Sequence, residues 1–179
     1  MAEGDEQQQV LTPVDLQKKV YFLLEQLQEM ASSLPLKYQQ RLPCELLSGL
    51  ANCLLNDTIF EIVKGLMEIQ HVTEKHLYQQ RLQVLHRHKM ELQEITTQTT
   101  DETIRNAQRL LLIRKHREEM KQTDMKLVLQ LDQKVSDQQV VLEKAGVPGF
   151  YVTNNPLEVK VQMHLLDFIL RLSKMKTPT

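Results

Sequence analysis

The sequence predicts an all-α fold: a long antiparallel helical hairpin, coiled-coil-like, with a small helical head formed by the N- and C-terminal helices. Three observations carry this prediction. Breakers are few, 5 Gly and 6 Pro in 179 residues, which favours long uninterrupted elements. Trp is absent and aromatic residues are 4%, low for a sheet protein, because strands favour aromatic and β-branched side chains. Apolar residues also recur at helical spacing through two long stretches, residues 58–95 and 101–145, separated by Thr96-Thr97-Gln98-Thr99-Thr100.

The elements follow in order. Residues 1–11 are polar and rich in Glu and Gln, the composition of a disordered tail. Thr12-Pro13-Val14-Asp15 reads as a helix start, with Thr12 as cap, Pro13 at the first position and Asp15 at the positive helix end. Val20, Leu23, Leu24, Leu27 and Met30 continue it until Pro35 forbids continuation. A short helical piece fits residues 36–42. Pro43 then opens a helix carrying Leu46, Leu47, Leu50, Leu54 and Leu55, which Asn56-Asp57 ends. Residues 12–57 are therefore the N-terminal helices of the head.

The hairpin is expected over residues 58–145, turning near 96–101. Thr58-Ile59-Phe60-Glu61 matches a capping box. Ile62, Leu66 and Ile69 supply its first core positions, and Leu131, Val135 and Leu142 face them at three-four spacing. Folding at the Thr-rich break brings Ile95 to Ile104, Leu85 to Ile113, and Leu66 between Leu131 and Val135. The middle, Arg114-Lys115-His116-Arg117-Glu118-Glu119, is nearly all charge and is expected to be exposed. Gln70, Gln138 and Gln139 near the core are candidates for setting register, as polar seam residues do. A loop follows at 146–155, opened by Gly146 at a position suited to left-handed backbone. Asn155-Pro156-Leu157-Glu158 restarts a helix over 156–173 that packs on the head, and residues 174–179 form a basic tail.

Composition and motifs exclude several classes. The net charge is −1, so the concentrated positive field of a dedicated nucleic-acid binder is missing. Arg81, Arg87, Lys89, Arg105, Arg109, Arg114, Lys115, Arg117 and Lys121 bias the hairpin middle towards basic, diluted by Glu91, Glu94, Glu118 and Glu119. No window supplies the roughly 18 uncharged apolar residues of a membrane span. Cys44 and Cys53, on one helix, point to opposite sides and cannot bridge, which suits a reducing compartment. Glu68-Ile69-Gln70-His71 is an E-x-x-H pattern, but a helical di-iron site needs two such pairs and further carboxylates. The other histidines show no zinc-ligand spacing. No phosphate loop, dinucleotide fingerprint or nucleophile elbow is present. The expectation is therefore no catalytic residue, no cofactor and no metal. Phe150 and Tyr151, the clustered aromatics of the 146–155 loop, either anchor a partner or pack back onto the helix ends. Together with Gln70 and Gln138 they are the candidate partner-facing residues.

Two stretches carry a family resemblance. One is Phe60-Glu61-Ile62-Val63-Lys64-Gly65-Leu66-Met67-Glu68-Ile69-Gln70-His71-Val72-Thr73-Glu74-Lys75. The other runs from Asp132-Gln133-Lys134-Val135-Ser136-Asp137-Gln138-Gln139 through Leu142-Glu143-Lys144-Ala145-Gly146-Val147-Pro148-Gly149-Phe150-Tyr151-Val152-Thr153. Together they resemble the gonadal family, over about residues 34–172. The resemblance implies a developmental protein, placed in the nucleus (alternatively the cytoplasm), that acts through protein partners and carries no catalytic motif. The expected function is thus a non-enzymatic interaction or scaffold protein, with homo-oligomerisation one arrangement. The rival reading is a nuclear nucleic-acid-associated protein that uses the Arg and Lys of the hairpin.

Overall fold

The computed structural model describes residues 11–175, and the expected tails at 1–10 and 176–179 lie outside them. The described residues form six helices and no strand: α1 (Pro13–Ser32), α2 (Leu36–Gln39), α3 (Cys44–Cys53), α4 (Asp57–Gln98), α5 (Glu102–Lys144) and α6 (Pro156–Lys174). The fold is all-α, with α4 and α5 packed antiparallel. The chain divides into two compact units, one of residues 11–65 with 138–175 and one of residues 66–137. The start of α4 and the end of α5 therefore group with the short helices.

In the first unit, α1 starts as its sequence dictates. The Thr12 hydroxyl accepts from Asp15 N–H and the Asp15 carboxylate accepts from Thr12 N–H, a reciprocal capping box. The Thr12 hydroxyl also donates to Asp15 Oδ2 at 2.7 Å, and this bond, then the Thr12 N–H, hold the Asp15 carboxyl below its usual range. α1 buries Leu23, Leu27, Met30 and Ala31 against α3 and α6. The largest fully buried side chains of the described residues are Phe168, Leu27, Leu50, Leu54, Leu142, Leu165, Ile169 and Val63. All belong to this unit, and each contributes about 1.5–3 kcal/mol of hydrophobic stabilisation. α4 departs from expectation at its start: it begins at Asp57, and Asn56 caps it, its Oδ1 accepting from Thr58 N–H at 3.0 Å. Asn56 outcompetes Thr58 because its side chain reaches an orphan amide two residues on. Thr58 and Glu61 therefore form no capping box, and Glu61 pairs instead with Lys64.

The second unit is the facing part of α4 and α5. The link between the helices is Thr99-Thr100-Asp101, inside the expected turn. Asp101 Oδ1 caps α5 by accepting from Thr103 and Ile104 N–H. Register is marked by Arg81–Asp124 at 2.9 Å, His116–Glu91 at 2.6 Å and Thr99–Gln108 at 3.1 Å. This is displaced from the expected pairing by about one helical turn on each helix. Ile95 consequently shares a groove with Leu111 and Leu112, and Ile104 is exposed. Inward positions recur every eleven residues, as Leu66, Leu77 and His88 on α4, with Thr99 just past its end, and as Arg105, His116 and Leu127 on α5. An eleven-residue spacing follows a nearly straight helix, whereas a heptad drifts off the face by about 20° per repeat. The expected heptad core is corrected accordingly. Leu142 is fully buried, Ile62, Leu66, Leu131 and Val135 are half-buried, Ile69 is 55% exposed, and Val128 faces out because Leu127 beside it takes the inward position.

Candidate functional site

In the first unit, the 146–155 loop is held by its backbone. Gly146 and Gly149 have φ of 78° and 88°, left-handed geometry that favours glycine. A Cβ on Gly149 would lie 2.8 Å from Leu165 Cδ1, so glycine also admits close approach to α6. Gln139 clamps Thr153 from both sides, its Nε2 donating to the Thr153 carbonyl at 3.1 Å and its Oε1 accepting from Thr153 N–H at 3.2 Å. Gln162 Nε2 donates to the Tyr151 carbonyl at 3.0 Å. Both glutamines are buried with their polar ends satisfied by loop backbone, as burial requires. The Thr153 hydroxyl donates to Glu158, which also pairs with Arg41. Phe150 is buried, so the loop packs back through it, and its candidacy as a partner-facing residue is corrected. Tyr151, at 42% exposed, projects from the loop beside Val152, its hydroxyl pushed up by partial burial and by Glu158. Gln138 is buried rather than outward, and Gln70 is half-buried and donates to Glu74 at 2.8 Å. His164 lies against Tyr38 with ring centroids 4.9 Å apart; burial and Lys160 lower its pKa, and its buried Nε2 has no hydrogen-bond partner.

In the second unit, the middle of the helix pair holds an arrangement that the sequence reading missed. His88 on α4 and His116 on α5 are each 7% exposed and stack at 3.8 Å between centroids, 10° from parallel. His88 Nε2 meets Glu119 at 3.1 Å, and His116 Nε2 meets Glu91 at 2.6 Å. The motif is reciprocal: each helix supplies a His and, three residues on, a Glu, and each His is paired by the Glu of the opposite helix. Arg87 bridges both carboxylates. Glu91 is held below the usual carboxylate range chiefly by the His116 hydrogen bond, Glu119 chiefly by Arg87 and then His88. The carboxylates are therefore ionised and only accept, so each imidazole presents Nε2–H to its partner. The signal was present as His88-Lys89-Met90-Glu91 and His116-Arg117-Glu118-Glu119, the H-x-x-E mirror of the E-x-x-H pattern found at Glu68. The expected exposure of this charged middle is thus corrected for His116. Among the described residues no group of three His, Cys, Asp or Glu side chains is placed to hold a metal ion. Glu68 and His71 stand apart from the paired-histidine centre, on exposed positions.

Around this centre Val84, Leu92, Leu112, Ile113 and Leu127 are half-buried, and other apolar side chains stand in solvent. Apart from the two histidines, Leu77 is the one side chain of residues 66–137 in the fully buried class. Tyr78, Leu82 and Leu85 on α4, and Leu110, Leu111, Met125, Val128 and Leu129 on α5, are exposed. Leu111 and Leu129 are 66% and 67% exposed. No single described helix is long and apolar enough to cross a membrane.

This is an all-α protein built on a long helix pair that holds two buried histidines among its inward side chains and leaves several large apolar side chains exposed. The chain belongs to the DiGeorge syndrome critical region 6 (DGCR6) protein family, whose model matches residues 2–179. Gonadal protein gdl of Drosophila melanogaster is 52% identical over 166 residues, covering 92% of this chain and 85% of that protein. Protein DGCR6 of Gallus gallus is 47% identical over 172 residues, covering 88% of this chain and 86% of that protein. No solved structure matches.

Proposed function

We propose that this chain is a non-enzymatic docking protein of the family, a scaffold working through protein partners in a developmental setting and in the nucleus. The observation that carries this reading is the outward apolar side chains of residues 66–137. Contiguous exposed apolar surface is characteristic of interaction sites. Tyr78, Leu82 and Leu85, at i, i+4 and i+7, make one stripe on α4, the pattern with which a helix engages another helix or a groove. The developmental setting is supported by the name of the Drosophila relative, a gonadal protein. The rival nucleic-acid reading loses ground because Arg81 and Arg87 are already neutralised by Asp124, Glu119 and Glu91.

The test compares partners crosslinked in cells to the full chain and to a Leu82→Asp/Leu85→Asp variant of matched helicity. Proteins lost from the variant and rebinding the native chain in purified form support docking through α4. An unchanged partner set removes that surface. Binding of duplex DNA by the pure protein that collapses between low and moderate salt would favour the rival.

A further inference from the structure

The outer face of α5 reads as a palindrome. Its exposed positions Leu111, Arg114, Glu118, Lys121, Met125 and Val128 alternate in three-four spacing, the pattern of a helix seam. They point away from α4, because the inward face of α5 runs through Arg105, His116 and Leu127. Laid antiparallel on a copy of itself about a two-fold axis between Glu119 and Met120, this row matches itself. Leu111 meets Val128, Leu110 meets Leu129, the aliphatic stem of Arg114 covers Met125, and Glu118 meets Lys121. Every pairing occurs twice by symmetry, which is the requirement of an isologous interface.

We propose that a second copy of this chain occupies the outer face of α5, antiparallel, with two reciprocal Glu118–Lys121 ion pairs at its centre and apolar layers at both ends. Charge selects this occupant and this direction. In the parallel alignment, Glu118 would face Glu118 and Lys121 would face Lys121, and like charges at seam positions oppose association. In the antiparallel alignment both become attractive pairs while the exposed leucines, methionine and valine are covered. The contact runs over about five turns, roughly 25 Å, and uses side chains that the unit leaves in solvent. The inference rests on the docking reading only in taking the outer apolar face of residues 66–137 as an interface. It does not use the α4 stripe.

The experiment is sedimentation velocity of the purified full chain across a concentration series. The native chain is expected to show a concentration-dependent monomer–dimer equilibrium. Glu118→Lys and Lys121→Glu, each placing like charges across the axis, should weaken self-association at least about tenfold with helicity unchanged, since charge pairs set partner choice. An equimolar mixture of the two single variants should recover dimers, because both cross-axis pairs are then of opposite sign. The double variant should also self-associate. A native chain that stays monomeric throughout overturns the proposal, as do single variants that dimerise like the native chain. So does a mixture that recovers nothing. Neither result bears on partner capture by the Leu82→Asp/Leu85→Asp comparison, so failure of one reading is separable from failure of the other.

Discussion

Replacing His116 by Ala tests the paired-histidine centre most directly. The ring is buried, stacked at 3.8 Å on His88 and bonded to Glu91. Truncating a buried aromatic in a deep core costs about 3–5 kcal/mol. Here the ring is smaller and bordered by carboxylates about one-third exposed, which rehydrate when released. The expected cost is therefore about 2 kcal/mol, of which about 1 kcal/mol is the stack itself. For a unit the size of residues 66–137, each kcal/mol moves the melting temperature by about 4–8 °C. His88→Ala should behave alike by the symmetry of the motif. The double variant should be less destabilised than the sum of the singles by about 1 kcal/mol, the coupling expected of two rings in contact. Thermal circular dichroism of the full chain supplies the totals, and amide exchange over residues 82–95 and 110–123 localises the effect. Strict additivity of the two substitutions would refute the stack. Exchange unchanged in those segments would refute burial of the centre between the helices.

Other perturbations have equally defined outcomes. Glu91 and Glu119 have native pKa values below the ordinary value of 4.5, so the stability they contribute is present above that value and is lost as pH falls through the lower native values. Glu91→Gln/Glu119→Gln should flatten that acid limb in chemical denaturation; an unchanged limb would refute the pairing. His164 is also lowered, by burial and then Lys160, from 6.5, so its contribution is complete above 6.5 and is lost as the unfolded chain takes up a proton below it. His164→Phe should keep the contact with Tyr38 and remove stability loss beginning near that pH, which denaturation at pH 7 and just below 6 would show. Gly149→Ala must tolerate both left-handed backbone and a 2.8 Å approach to Leu165, and should cost about 2–3 kcal/mol by thermal unfolding. Gly146→Ala meets no atom within 4 Å and should cost about 1 kcal/mol, the backbone part alone.

Local chemistry was the legible part of this chain. Thr12 and Asp15 announce the start of α1, Pro35 its end, Asn155 and Pro156 the start of α6, and Thr99 to Asp101 the break between the long helices. Each is decided by groups within four residues of one another. The register of α4 against α5 was not legible in the same way. Matching apolar residues put Ile95 on Ile104, whereas the buried polar contacts join residues far apart in sequence, as in His116–Glu91. An apolar match tolerates slippage because a leucine packs on any apolar neighbour. A buried imidazole does not, since it needs an acceptor at one place. The candidate site was read unevenly for the same reason. Of the two readings of the loop, packing back holds for Phe150, while Tyr151 is 42% exposed and Gln138 turns inward; Gly146, Gly149 and the Gln139–Thr153 clamp fix the loop against α6.

The division of labour in the helix pair follows from this asymmetry between polar and apolar contacts. If α5 slid by one helical turn, His116 would lose Glu91 and His88 would lose Glu119, leaving two buried imidazoles without acceptors. An unmet buried polar group costs about 1–3 kcal/mol. Two such groups weigh against the slipped register, to which the half-exposed Arg81–Asp124 pair adds little. Register is thus specified by a few interior polar pairs, and Leu110, Leu111, Met125, Val128 and Leu129 are released from that task. Their placement outside then has a thermodynamic consequence: they add little to the fold of residues 66–137 and retain most of their burial free energy for association. Removing an interior pair should therefore loosen the helices before it weakens docking, and changing an outer leucine should weaken docking while leaving amide exchange at the histidines unaltered.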